Sequence, residues 1–151
     1  MTDPEYPESA PPAHRELREI LSRAVKEGGR TAVAAEAVRG VLYPHMRLEE
    51  AFAAPPLSIL PRLAAGEIAP DMEKIIPISE MMKIQLPRML DQHRLIVTAL
   101  KELLRAATDE AHPAYVQFAQ KVMQHAQQEE EILYPAAIIV GEYVKLKLGK
   151  T

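Results

Sequence analysis

The sequence of 151 residues contains no cysteine and no tryptophan, and aromatic residues make up only 5% of it. Without cysteine, disulfide scaffolds, cysteine-ligated zinc, iron–sulfur clusters and thiol catalysis are excluded. The 18 lysine and arginine residues nearly balance the 21 acidic residues, which leaves a formal charge of −3. Because a nucleic-acid binder shows a basic excess or stripe, we do not expect nucleic acid as a partner.

Long apolar runs are also lacking. No stretch approaches the roughly 18 apolar residues that cross a membrane, and the acidic start, Met1 to Glu5, has neither the basic nor the apolar segment of a signal peptide. We therefore expect a cytoplasmic protein with no membrane partner. Residues 1–12 hold four prolines and three acidic residues and no basic residue, and this composition predicts a disordered tail.

Residues 13–151 are predicted to form one all-α domain. Apolar residues recur at helical spacing and no strand-like alternation occurs. The main helices are expected from Ala13 to the Gly28-Gly29 pair and over about 31–53, 87–108 and 113–134, with short helices over 71–86 and 136–148. Four main helices of this length favour an up-down-up-down four-helix bundle.

Prolines mark several expected boundaries. Pro87 is predicted in the first turn of the third main helix, where its missing N–H costs nothing, and Pro135 is predicted to end the fourth. Pro44 lies in the middle of the second helix and predicts a kink or local break there.

The connection over residues 54–86 is long and unusually apolar. Its first part, 54–70, holds four prolines and a glycine together with Leu57, Ile59, Leu60, Leu63 and Ile68. These residues favour packing against the rest of the protein. The segment is also a candidate lid, or a surface for a protein partner or a second copy of the chain, because loops of this length are often functional.

The most informative feature is an internal repeat. His14 is followed 31 residues later by His45-x-x-x-Glu49, and His93 is followed 32 residues later by His125-x-x-x-Glu129. The midpoints of the two histidine pairs fall at 29–30 and at 109, inside the two predicted turns, so each hairpin is expected to hold its two histidines at one height. The glutamates at i+4 share a helix face with their histidines.

Four imidazoles and two carboxylates on inward faces need a compensating charge, because each buried unpaired charge costs several kcal/mol. Metal cations meet that need. If both carboxylates bridge, the six side chains offer eight metal bonds, or four to each of two metals, which leaves open positions. Donors of nitrogen and oxygen without sulfur suit iron or manganese, with zinc as an alternative.

At these residues the sequence resembles the hemerythrin-like family of HHE cation-binding domains. The resemblance rests on His14, His45-x-x-x-Glu49, His93 and His125-x-x-x-Glu129, followed by Leu133-Tyr134-Pro135. It implies a four-helix bundle with an oxo- or hydroxo-bridged pair of non-haem iron ions. His14 and His45 would hold one iron, His93 and His125 the other, and Glu49 and Glu129 would bridge them.

The sequence departs from the oxygen-carrying hemerythrins. They have a further histidine one turn after the third-helix ligand, where this chain has Val97, and a fourth-helix aspartate at i+5. The chain therefore looks like the four-His, two-Glu variants, which have been linked to iron sensing, nitric-oxide responses, iron-centre repair and peroxide chemistry. The resemblance implies a di-iron protein that binds or reacts with dioxygen, peroxide or nitric oxide. The alternative is a non-catalytic iron- or redox-sensing module that acts through a partner.

Other polar residues fit simpler roles. His112 has no counterpart in the repeat and is expected in an exposed turn. Glu50 and Glu130 are expected to be solvated, or to accept a hydrogen bond from a ligating imidazole. Ferritin-like di-iron bundles need Glu-x-x-His pairs, and no histidine of this chain has a glutamate three residues before it.

Overall fold

The computed structural model describes residues 12–150, so almost all of the tail predicted over 1–12 lies outside the described residues. Over this range the chain is helical and contains no strand, which confirms the all-α prediction. The helices are α1 (Pro12–Ala24), α2 (Gly29–Phe52), α3 (Ala54–Ser58), α4 (Leu60–Ala64), α5 (Ile75–Asp109), α6 (Pro113–Gln128) and α7 (Tyr134–Lys147). A 3₁₀ turn over Pro70–Lys74 precedes α5, and a π-helical turn over Glu129–Leu133 joins α6 to α7.

The chain divides into two compact units. Among the described residues, the first contains those up to Met46 together with Asp91–Ala126. Its core is a cluster of buried apolar side chains from α1, α2, α5 and α6, centred on Leu21, Val38, Leu42, Leu100, Leu103 and Phe118. These residues recur at helical spacing in the sequence, so the predicted inward stripes of the four main helices are confirmed in this unit.

Both predicted turns of the first unit are present and are joined through Glu110. The Glu110 carboxylate accepts hydrogen bonds from the backbone N–H of Arg30 (3.0 Å) and of Thr31 (2.7 Å), at the start of α2. Gly28 and Gly29 have positive φ angles of 78° and 64°, a conformation in which glycine carries no steric penalty. These N–H groups would otherwise have no partner within the helix. The hydroxyl of Thr31 also donates a hydrogen bond to the carboxylate, and this bond together with those from the two N–H groups lowers the pKa of Glu110 to about 2.

The second unit contains Arg47–Leu90 and the residues from Gln127 onwards. The apolar part of the connection is packed inside it: Ile59, Leu63 and Ile68 lie in a cluster with Met72, Ile75, Val140 and Val144. Of the five apolar residues that the sequence singled out in 54–70, only Leu60 is exposed. The packing prediction is therefore confirmed.

The prediction that Pro87 begins a helix is wrong. A single helix of 35 residues, α5, runs from Ile75 to Asp109 with Pro87 inside it. Pro87 is exposed, whereas Met82 and Met89 are buried in one apolar cluster and Leu86 packs against it. Burial of this stripe on both sides of the proline favours a continuous helix over the break that proline alone predicts.

Neither of the other two prolines breaks the helical backbone. Helix α2 is not interrupted at Pro44, so the local break predicted there is absent. Pro135 lies in the first turn of α7, directly after the π-helical turn, and the helical backbone continues from α6 through this turn into α7, so the break predicted at Pro135 is absent. Among the described residues, no helix is long and apolar enough to cross a membrane.

Candidate metal centre

His45 and His93 face each other inside the first unit. Their Nε2 atoms lie 2.9 Å apart, and the two rings are tilted by 60° with centroids 4.5 Å apart. Both side chains are almost fully buried, with 1% and 3% of their surface exposed. Two imidazole nitrogens at this distance share either a proton or a cation.

Gln92 determines which ring nitrogen of His45 carries the proton. The side-chain oxygen of Gln92 lies 2.7 Å from Nδ1 of His45. Because an amide oxygen only accepts hydrogen bonds, Nδ1 carries the proton and the lone pair of neutral His45 is on Nε2, which faces His93. This arrangement is typical of metal-ligating histidines, whose other ring nitrogen donates to a neighbouring oxygen.

His14 and His125 form the second pair. His14 is buried near the start of α1, and His125 is half-buried in the last turn of α6. Arg18 stands one turn after His14 and is also buried, with its guanidinium carbon 3.9 Å from the centre of the Tyr43 ring. A cation over an aromatic ring is attracted by the ring quadrupole.

Two groups of histidine and glutamate side chains among the described residues could hold a metal ion. One consists of His14, His125 and Glu129, the other of His45, His93 and Glu129, and in each group one donor atom per residue lies within 4.8 Å of the others. Glu129 is buried and follows His125 by four residues, at the start of the π-helical turn. Such turns occur frequently at functional sites.

The histidines combine differently from the expectation drawn from the resemblance. That expectation paired the two histidines of each hairpin, His14 with His45 and His93 with His125. Each group instead takes one histidine from each hairpin. Sequence separation gives the height of a side chain along a helix, whereas the partner it meets depends on which helices are neighbours.

Glu49 is buried, as predicted, but it belongs to neither group among the described residues. The hydroxyl of Tyr134 hydrogen-bonds to the Glu49 carboxylate. Burial of Tyr134, together with the negative charge of Glu49 and this hydrogen bond, raises the pKa of the phenol well above its usual value. Tyr134 therefore remains a neutral donor that holds the Glu49 carboxylate.

His112 lies apart from both groups. It is half-buried in the turn before α6, with its ring centroid 5.9 Å from that of Tyr115.

Sequence reasoning missed Gln92 and Arg18. The available signals were their positions, since Gln92 directly precedes His93 and Arg18 follows His14 at i+4 on the same helix face.

The donor set fits a metal cation on geometric grounds. Two nitrogen ligands about 2.1 Å from one ion and at a right angle to each other lie about 3 Å apart, and the two Nε2 atoms of His45 and His93 lie 2.9 Å apart. A buried carboxylate next to two imidazoles supplies the negative charge that a divalent cation needs. The structure thus defines an all-α protein with buried His/Glu groups suited to metal.

Comparison with known families finds one match, over part of the chain. Residues 85–146 match the family described as "Hemerythrin HHE cation binding domain". The matched segment contains His93, His125 and Glu129, so the resemblance is confirmed over the part of the chain that carries these three residues. No curated protein and no solved structure matches the chain.

Proposed function

We propose that this protein binds two neighbouring metal cations through His14, His45, Glu49, His93, His125 and Glu129, and that it binds or reacts with a small ligand there. One observation carries the proposal: Glu129 belongs to both His/Glu groups. A carboxylate has two oxygens and can coordinate two ions at once, so a side chain shared by two groups supports a dinuclear site over two separate ones.

Iron is the proposed metal. Imidazole and carboxylate donors without sulfur suit iron or manganese, with zinc as an alternative, and the hemerythrin-type match favours iron. An iron pair would supply Lewis acidity and redox chemistry. The ligand would be dioxygen, peroxide or nitric oxide.

The side chains of the site contribute binding and orientation. Gln92 directs the lone pair of His45 toward His93, and Tyr134 holds the Glu49 carboxylate by its hydroxyl group. The four donors His14, His45, His93 and Glu129 have at most 5% of their surface exposed. Such burial restricts water and disfavours a large substrate.

Metal analysis of protein purified without added metal tests the proposal, together with the visible spectrum. We expect two metal ions per chain and, for iron, the absorption of a bridged ferric pair. Glu129→Ala should lose at least one ion, whereas His112→Ala should keep both. A wild-type protein that cannot be loaded with iron, manganese or zinc would refute the proposal.

Peroxide addition to the iron-loaded protein then separates the two functional classes. Repeated consumption of peroxide that is lost in Glu129→Ala supports an enzyme. Binding of nitric oxide or dioxygen without turnover supports the non-catalytic sensing or iron-handling module.

A further inference from the structure

Helix α7 carries apolar residues on two opposite faces. Its inner face, which includes Tyr134, Ala137, Val140, Gly141 and Val144, is buried in the second unit. Its outer face continues from the π-helical turn as a stripe of Ile132, Pro135, Ile139, Tyr143 and Leu146, which we call the outer stripe. An apolar face of a helix is normally buried against another element.

In the described part of the structure, the side chains of the outer stripe are strongly exposed. The exposed fractions are 60% for Ile132, 64% for Ile139, 38% for Tyr143 and 76% for Leu146. Single exposed apolar residues are ordinary, but a contiguous apolar surface marks an interaction site. Successive members are three or four residues apart, the spacing of a helix-pairing seam, and the stripe is about 20 Å long at 1.5 Å per residue.

The spacing of the outer stripe is the same in both directions. The steps from Ile132 to Leu146 are 3, 4, 4 and 3 residues, so Ile132 and Leu146 are equidistant from Ile139, as are Pro135 and Tyr143. In an isologous interface a residue meets its counterpart across a two-fold axis. An antiparallel pair of α7 helices with Ile139 on the axis would therefore place Ile132 against Leu146 of the second copy.

The charges that flank the outer stripe fit the same arrangement. The exposed Glu130 and Glu131 precede it, and the exposed Lys147 lies at its other end. Glu131 and Lys147 are exposed and both lie eight residues from Ile139. Antiparallel pairing brings the acidic end of each helix to the basic end of the other, whereas parallel pairing would bring like charges together.

We propose that the outer stripe is the contact of a homodimer in which two α7 helices pair antiparallel across Ile139. This interface does not depend on metal binding. A stripe of five side chains is smaller than a standard interface, which buries about 1,600 Å² in total. The dimer is therefore expected to be weak and to depend on protein concentration.

Sedimentation analysis over a wide range of protein concentration tests the dimer. The wild-type protein should pass from monomer to dimer, and Ile139→Glu should raise the dissociation constant more than about tenfold, because two carboxylates would meet at the axis. Val33→Glu is the matched control, since Val33 is 72% exposed on α2 and lies outside the outer stripe. Because Ile139 is exposed, the variant should fold, which circular dichroism would verify. A wild-type protein that stays monomeric, or a dimer unaffected by Ile139→Glu, would overturn the proposal.

Two further variants test the antiparallel register. Glu131→Lys and Lys147→Glu should each weaken the dimer, and the double variant should restore it. Since the chain has no cysteine, Ile139→Cys introduces one thiol that should form a disulfide with its counterpart under mild oxidation, whereas Val33→Cys should not. Weakening without restoration, or equal cross-linking of both cysteine variants, would contradict the register.

Discussion

The side-chain oxygen of Gln92 accepts a hydrogen bond from Nδ1 of His45 at 2.7 Å, and Nε2 of the same imidazole faces His93. Gln92 and His93 are adjacent on α5, so one turn of this helix supplies both a donor atom and the group that orients the opposite donor. This contact extends the candidate centre beyond the residues that bear the metal-binding motif.

Gln92→Leu should weaken metal binding about 10- to 100-fold, because His45 loses the hydrogen bond that fixes its ring and protonation state. Competition with a chelator of known affinity would measure the loss. Gln120→Leu makes the same chemical change at an exposed position of α6 and should leave affinity unchanged. Equal affinities for the two variants would show that Gln92 has no role in the centre.

Glu129→Gln should reduce the number of bound metal ions, because Glu129 belongs to both His/Glu groups and an amide has no negative charge. Elemental analysis after metal loading would give the stoichiometry. The exposed Glu131, two residues further along, provides the control: Glu131→Gln should keep the full metal content. A Glu129→Gln protein with wild-type metal content would contradict the sharing of this carboxylate.

Gly141→Ala should destabilise the protein by roughly 1–3 kcal/mol, the usual cost of overpacking. A Cβ at this buried position would fall on the Ser79 side chain, whose hydroxyl donates a hydrogen bond to the Ala137 carbonyl at 2.8 Å. Denaturant unfolding would measure the change, and adding Ser79→Gly should recover part of it.

Gly40→Ala makes the same chemical change as Gly141→Ala, but here we expect the stability of the protein to increase. Gly40 lies inside α2, and a Cβ there would meet nothing within 4 Å. Alanine is favoured over glycine in a helix interior by about 0.5–1 kcal/mol, so this variant should gain stability. Loss of stability in Gly40→Ala would show that helix propensity is not the deciding term at this position.

Glu110→Gln should destabilise the protein at neutral pH, because the Glu110 carboxylate accepts hydrogen bonds from the start of α2. The pKa of Glu110 falls from an ordinary 4.5 to about 2 on folding. Its stabilising contribution is therefore complete above pH 4.5 and decreases as the pH falls toward 2. Thermal unfolding of metal-free wild-type and variant protein should show a constant difference above pH 5 that narrows in acid.

The control for this pH dependence is Glu102→Gln, at an exposed position of α5 where the Glu102 carboxylate accepts a hydrogen bond from the Arg105 side chain at 2.8 Å. Surface pairs of this kind contribute little, so its unfolding temperature should follow that of the wild type. A Glu110→Gln difference that persists unchanged to pH 2 would contradict the low pKa of Glu110.

Much of the fold was predictable from local patterns. The turn at Gly28-Gly29, the end of α5 near Asp109 and the inward apolar stripes depend on backbone preference and on helical periodicity, which short segments of sequence carry. Pro87 shows the limit of such patterns. Its intrinsic effect is to end a helix, but burial of Met82 and Met89 on either side outweighs it, and burial depends on residues distant in the sequence.

The repeated His and His-x-x-x-Glu pattern determined by itself which side chains are candidate metal donors, because an i+4 spacing aligns two side chains on a helix whatever the helix packs against. Only the tertiary structure decided that His45 meets His93, that His14 and His125 share a group with Glu129, and that Gln92 orients His45. These contacts join residues that are tens of positions apart in the chain. Their geometry depends on which helices are neighbours and how they are rotated, and periodicity along one helix carries no information about either.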